Sequence, residues 1–197
     1  MKRILSLIIS LLSLLTAFTA AQAQTWTVDK AHANVGFTIT HLLLSKVDGH
    51  FRTFDARMTA SKPDLSDAVF EMTADVNSIN TGNNRRDSHL KAADWFDAAQ
   101  FPKVSFKSTS FRKVEANRYK LTGNLTLRGV TKPVALDAVL TGLAAAEGRN
   151  GKPERVGINA TGTINRTDFG IGKPGGAMVS ETVNLKINGE FTNSPQQ

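Results

Sequence analysis

The chain has 197 residues, no cysteine and a formal net charge of +7. The lack of cysteine excludes disulfide staples, thiol catalysis, thiolate metal sites and haem attached through Cys. Basic residues are dispersed, at Arg52, Arg57, Lys62, Lys103, Arg112, Lys132 and Lys186; this argues against nucleic-acid binding, which uses a clustered basic stripe with stacking aromatics, and leaves a weak attraction to anionic membrane surfaces.

Lys2 and Arg3 precede a run from Ile4 to Ala20 that is mostly Leu, Ile and Ala, and Ala21-Gln22-Ala23 follows it. A short positive region, an apolar run and a small-x-small site mark a secretory signal peptide. The expectation is a leader over residues 1–23, cleavage after Ala23, export as a soluble protein, and one mature domain over residues 24–197. A retained anchor is the alternative, although the run is marginal for a bilayer, which takes about 20 apolar residues. Without Lys2 and Arg3, 22 basic residues face 17 acidic ones, a charge near +5. A mature chain of this length buries a real core without staples.

From Asn34 onward the pattern has period two, the mark of antiparallel strands with one apolar and one wet face. Val35, Phe37 and Ile39 alternate with Gly36, Thr38 and Thr40. A less regular strand runs from about Val47 to Met58, and Phe70, Met72, Ala74 and Val76 make the next. The stretch from Ser78 to Ser110 then breaks the rhythm. It opens on Thr81-Gly82-Asn83, carries Arg85, Arg86, Asp87 and His89, and continues through Leu90, Ala93 and Trp95 or Phe96 at helical spacing. Pro102 ends it, and an irregular strand follows from Val104 to Val114. Tyr119 to Leu127, Val134 to Leu140, Ile158 to Ile164 and Val183 to Phe191 complete about eight strands. Turn residues punctuate them at Glu115-Ala116-Asn117 and Arg128 to Lys132, with polar loops over Glu147–Pro153 and Lys173–Gly176.

Eight such strands close into a barrel or pack as a sandwich, and closure removes the exposed edges. An eight-stranded barrel is filled by its side chains or holds one small ligand. The apolar faces carry Ala74, Gly123, Ala138, Ala160, Gly162 and Gly189 in mid-strand. Small residues there relieve strand bending or leave a tunnel; as a set they favour a tunnel, with the helical insert lying over one end.

Catalytic and metal chemistry find little support in the pattern. His32, His41, His50 and His89 show no helical pairing, and no cysteine or adjacent carboxylate cluster completes a metal site. Ser45, Ser88 and Ser105 sit in no nucleophile elbow. The charges at Arg85 to His89 suit a polar head-group site or, better, an ion-pair network of Arg–carboxylate forks locking the helix to the rim.

Several blocks also resemble a known family. Thr81-Gly82-Asn83 with Arg86-Asp87-x-His89-Leu90, Asp94-x-Phe96-Asp97, Phe101-Pro102 and Ser105-Phe106-Lys107-Ser108 form the first. Leu121-Thr122-Gly123-x-Leu125-Thr126-x-Arg128-Gly129-Val130-Thr131-Lys132-Pro133 forms the second, and Ile164-Asn165-Arg166-x-Asp168-Phe169-Gly170 the third. With Asp29-x-x-His32 and the Phe37…His41 strand, these resemble the YceI-like family across the mature chain. Gly49-His50-Phe51 departs from it, since the family more often carries Arg before that Phe.

The resemblance implies an all-β protein: a single eight-stranded antiparallel lipocalin-like β-barrel with a short helical insert. It implies a periplasmic location, frequent dimers, no catalytic residues, and a bound isoprenoid lipid or quinone in place of any other cofactor. The expected apolar lining is Val35, Phe37, Ile39, Phe51, Phe70, Met72, Phe106, Leu121, Leu125, Leu185 and Ile187, with His41, Arg86 and His89 at a polar mouth. The leading expectation is an exported carrier or scavenger of a polyprenyl chain or isoprenoid quinone. The alternatives are an accessory protein that presents quinone to a membrane b-type cytochrome, and an enzyme acting on a lipid head group through His41 or His89.

Overall fold

A computed structural model describes residues 23–145 and 153–193. The expected leader, apart from Ala23, and the polar loop Glu147–Pro153, apart from Pro153, lie outside the described residues. The strands are β1 (Gln24–His41), β2 (Ser45–Phe51), β3 (Phe54–Ala60), β4 (Val69–Asp75), β5 (Ile79–Asn80), β6 (Lys103–Glu115), β7 (Arg118–Leu127), β8 (Val130–Ala145), β9 (Pro153–Asn165) and β10 (Thr182–Asn193).

These segments build a closed eight-stranded antiparallel barrel. β2 and β3 are two halves of one barrel strand. β2 pairs with the C-terminal half of β1, from Val35↔Phe51 to His41↔Ser45, and β3 with its N-terminal end, from Gln24↔Ala60 to Thr27↔Arg57. The strand expected over Val47 to Met58 is therefore broken at Arg52-Thr53. β4 and β5 are halves of the next strand, paired with β3 and β2 respectively. Between them Val76–Ser78 forms a 3-10 turn, capped by the Asp75 side chain, which accepts from the Asn77 N–H. β10 closes the ring on β1, from Trp26↔Asn193 to Thr38↔Asn184.

One end is plugged. Phe111 and Tyr119 stack there with ring centroids 4.3 Å apart, and Phe70 meets Phe111 edge-on at 5.1 Å. Trp26 and Met58 are fully buried, and Leu65 and Ala68, from the loop between β3 and β4, are buried as well. Apolar aromatics of this size dominate the burial energy of a small core.

The small mid-strand residues do less to open a tunnel than their spacing implies. The Phe106 ring occupies the space above Gly123, where an added Cβ would lie 2.5 Å from it and 2.6 Å from the Lys107 carbonyl oxygen. Leu136 covers Gly162 in the same way, at 2.5 Å. These glycines admit neighbouring side chains to the axis, and only Gly189, with nothing closer than 3.5 Å, faces open contact distance. Gly123→Ala is expected to cost about 1–3 kcal/mol, because the Lys107 backbone cannot step aside as a side chain can. Urea denaturation checks this, and an unchanged midpoint would contradict it.

Candidate functional site

The end of the barrel opposite the aromatic plug is covered by two segments. The first follows β5. Asn83, in extended conformation, accepts from the Arg86 N–H at 3.1 Å and so starts α1 (Asn84–Leu90). The helix ends at Leu90; the chain then tightens, with Ala92 N–H on His89 O and Phe96 N–H on Leu90 O, both at 3.0 Å. Asp97 takes a left-handed φ of 50°. Ala93, Trp95 and Phe96 therefore sit on turns and do not share the helix that ends at Leu90. The helix is the polar cluster itself, one step earlier than the apolar spacing implied.

That cluster locks the segment down by a different chemistry from the expected Arg–carboxylate forks. Thr81 is the knot. Its hydroxyl and N–H donate to the buried Asp87 carboxylate, the N–H at 2.9 Å. Arg86 Nε donates to the Thr81 hydroxyl and Nη2 to the Thr81 carbonyl, each at 2.7 Å. His89 Nε2 lies 3.3 Å from Asp94, with its ring edge on Trp95.

The second segment runs between β9 and β10. Asn165 caps a 3-10 turn over Arg166–Phe169, accepting from the Thr167 N–H, and Gly170 leaves it in the left-handed region. Arg166 is only 5% exposed. Its Nε donates to Ser180 O at 3.1 Å, Nη1 to Ile171 O at 2.7 Å and Nη2 to Val179 O at 3.1 Å. The guanidinium lies 5.4 Å over the Trp95 ring, a cation–π contact. Burial pushes its pKa below the ordinary arginine value, opposed by the nearby Glu181 charge. Arg128 joins the two segments by donating to Gly170 O and Ala93 O. At Gly172, with φ +65°, a Cβ would lie 3.1 Å from Trp95, so the close approach of the segments requires glycine.

Beneath these segments lies a chamber of about 670 Å³, and below it, toward the plug, a smaller one of about 130 Å³. The upper one falls within the span of small-molecule sites, roughly 300–1,000 Å³. Ile39, His41, Arg86 and His89 line the upper chamber. Val35, Phe70, Met72, Phe106, Leu121, Leu125 and Ile187 line the lower one. Phe37, Phe51 and Leu185 front both, so the two chambers adjoin.

Other lining residues were absent from the expected set. Leu127 and Ile164 front both chambers, and Val183, Ile171 and Val179 wall the upper one. The strand alternation carried the signal for Leu127, Ile164 and Val183. Trp95, Phe96 and Arg166, also at the upper chamber, come from irregular backbone; the helical spacing of the two aromatics pointed to a helix face, and Arg166 carried no periodicity.

Away from the cavity, β1–β10 pairing sets Asp29 opposite Glu190, and with His32 their ligand atoms come within 4.8 Å of one another. The sequence showed Asp29-x-x-His32 as a motif and gave no sign that Glu190 joins it. Arg155 reaches both carboxylates, at 3.4 and 3.3 Å, so the arrangement is an ion-pair cluster. The hydrogen bond between His32 and Asp29 raises the histidine pKa and lowers that of the carboxyl. The His32 contribution to stability is complete below the ordinary 6.5 and is lost as pH rises through the raised value. The Asp29 contribution is present above the ordinary 3.8 and is lost as pH falls through the lowered value. The stability advantage of the wild type over His32→Ala is therefore expected to be larger near pH 5.5 than near pH 8.5, a comparison that urea midpoints at the two values decide.

Comparison with known proteins places this architecture. A model of the YceI-like domain matches residues 26–191. Protein YceI of Salmonella newport is 40% identical over 164 residues, covering 82% of this chain and 84% of that protein. The crystal structure of Campylobacter jejuni YCEI protein is 35% identical, with a TM-score of 0.70, covering 86% of this chain and 98% of that one. A polyisoprenoid binding domain from Saccharophagus degradans shares the fold at 14% identity, with a TM-score of 0.63, over 88% of this chain and 100% of that one. With a family match running from β1 into β10 and relatives at this level of identity, the chain belongs to the YceI-like family.

Proposed function

We propose that this protein is an exported carrier or scavenger that holds a long apolar isoprenoid-type lipid, a polyprenyl chain or an isoprenoid quinone, inside the barrel. The observation that carries the reading is an apolar interior of two adjoining chambers, plugged at one end and lined toward the other by His41, Arg86 and His89. A chain of isoprene units threaded through it gains about 0.8 kcal/mol per buried CH₂, offset by the cost of ordering chain and protein. Kinship of fold with a domain described as polyisoprenoid binding supports the ligand class. The leader-like N-terminus supports a periplasmic location with cleavage after Ala23. We assign the protein to binding and give His41 and His89 no catalytic role.

Arg166 adds a specific element. Three of its five N–H donors hold backbone carbonyls, and the side chain lines the upper chamber. An acceptor such as a quinone carbonyl suits the remaining donors. This favours, as a second reading, presentation of quinone to a membrane b-type cytochrome, for which a redox-active lipid extract and co-purification with a cytochrome are the supporting results.

Trp95 reports occupancy. The chain has two tryptophans; Trp95 lines the upper chamber and Trp26 is buried in the plug. Titration with a detergent-solubilised prenyl quinone is expected to quench emission saturably, and Trp95→Phe to remove most of that change. A flat titration would contradict the reading.

A further inference from the structure

The hairpin between β1 and β2 places three leucines where a soluble protein gains nothing from them. Leu42 is 46% exposed, Leu43 75% and Leu44 87%, and Met178 beside them is 68% exposed. Leu42 and Leu43 also take left-handed φ values of 50° and 59°, a conformation that turns usually give to glycine or asparagine. Solvation and turn geometry both disfavour leucine here. The loop is nevertheless held firmly: Leu42 N–H bonds Met178 O, Leu44 N–H bonds His41 O, and Ser180 N–H bonds Thr40 O, at 2.9, 3.0 and 2.9 Å. The apolar tip is thus presented by a fixed backbone.

Its position gives it a partner. His41, directly before the tip, and Met178, hydrogen-bonded to it, both line the upper chamber. The tip and the cavity mouth are one surface. Around it Lys46 and Lys173 are exposed, with no ion pair to either among the described residues. The acidic groups nearby are engaged: Asp94 by His89, Asp48 by Thr38 and Lys186, and Glu181 by the Gly175 N–H and the Asn165 amide. Apolar side chains flanked by two lysines without ion pairs suit a bilayer carrying anionic head groups, in which leucines enter the acyl boundary while lysines stay at the phosphates.

We propose that Leu42–Leu44 and Met178 form a docking tip that seats the cavity mouth on an anionic lipid bilayer, so that the ligand passes between membrane and barrel without crossing water. This rests on the lipid-carrier reading for its purpose, and the docking itself is measured separately. The test is flotation of the full mature protein with vesicles of phosphatidylethanolamine and phosphatidylglycerol. Leu43→Asp combined with Leu44→Asp is expected to reduce vesicle binding by at least about tenfold, with circular dichroism and melting unchanged because both side chains stand in solvent. Lys46→Glu combined with Lys173→Glu is expected to weaken binding and its salt dependence. The leucine variant, whose substituted side chains lie outside both chambers, is expected to take up detergent-solubilised prenyl quinone as the wild type does. Vesicle binding unchanged by the leucine substitutions would overturn the proposal. So would wild-type protein that ignores vesicles yet changes from dimer to monomer on the same substitutions, which would make the tip a contact between copies. Wild-type docking with no uptake of prenyl quinone would instead contradict the lipid-carrier reading and leave the docking surface in place.

Discussion

Replacing Arg166 with alanine is expected to destabilise the protein by about 2–4 kcal/mol, and to lower its Tm by roughly 5–15 °C at the sensitivity usual for a chain of this size. The reason is local. The side chain is 5% exposed and satisfies the carbonyls of Ile171, Val179 and Ser180 in a segment with little regular structure of its own. Removing it leaves three acceptors unpaired and strips the cation from the face of Trp95. Arg166→Lys keeps a charge but offers a single ammonium where a planar fork reached three separate acceptors, so it is expected to recover only part of the loss. Differential scanning calorimetry of the three proteins gives the order wild type, lysine, alanine. An alanine variant melting with the wild type would mean that this segment is held by something other than Arg166.

Leu185→Glu is expected to weaken lipid binding at least a hundredfold, about 2.7 kcal/mol. Leu185 fronts both chambers and is half-buried because it faces the cavity. In the empty protein a carboxylate there keeps water; with a chain threaded past it, the same carboxylate is buried unpaired, a cost of several kcal/mol. Leu185→Met preserves volume and polarity and is expected to bind as the wild type does. Titration of both variants through the Trp95 signal separates them, with far-ultraviolet circular dichroism confirming the barrel. Wild-type affinity in the glutamate variant would place the ligand away from Leu185 and the boundary between the chambers.

The barrel was legible because burial on one face of a strand imposes alternation that no other element shares. Val35-Phe37-Ile39 and Val183-Leu185-Ile187 can be assigned to an interior from their alternation alone. The strand breaks at Arg52-Thr53 and Val76–Ser78 showed only as irregularity: the apolar parity switches across each, from Phe51 to Phe54 and from Val76 to Ile79, and alternation alone does not say whether the strand bulges or breaks there. The helix was displaced for a related reason: Leu90, Ala93 and Trp95 or Phe96 share a helical spacing, while the capping by Asn83 and the left-handed Asp97 fix the real helix one step earlier. Small residues misled in the opposite sense. Gly123 and Gly162 read as empty space, yet whether a neighbour fills such space depends on the register between strands, which set Phe106 and Leu136 over them. Arg166 escaped as a site residue because its role depends on carbonyls of residues up to fourteen positions away, in a segment without periodicity.

The most direct test of the account is native mass spectrometry, with lipid extraction, of the protein purified from its own host. A one-to-one complex is expected, its extracted lipid carrying a repeating isoprene unit, with loss of that lipid from Leu185→Glu. A barrel that arrives empty and also takes up no added prenyl chain would contradict it.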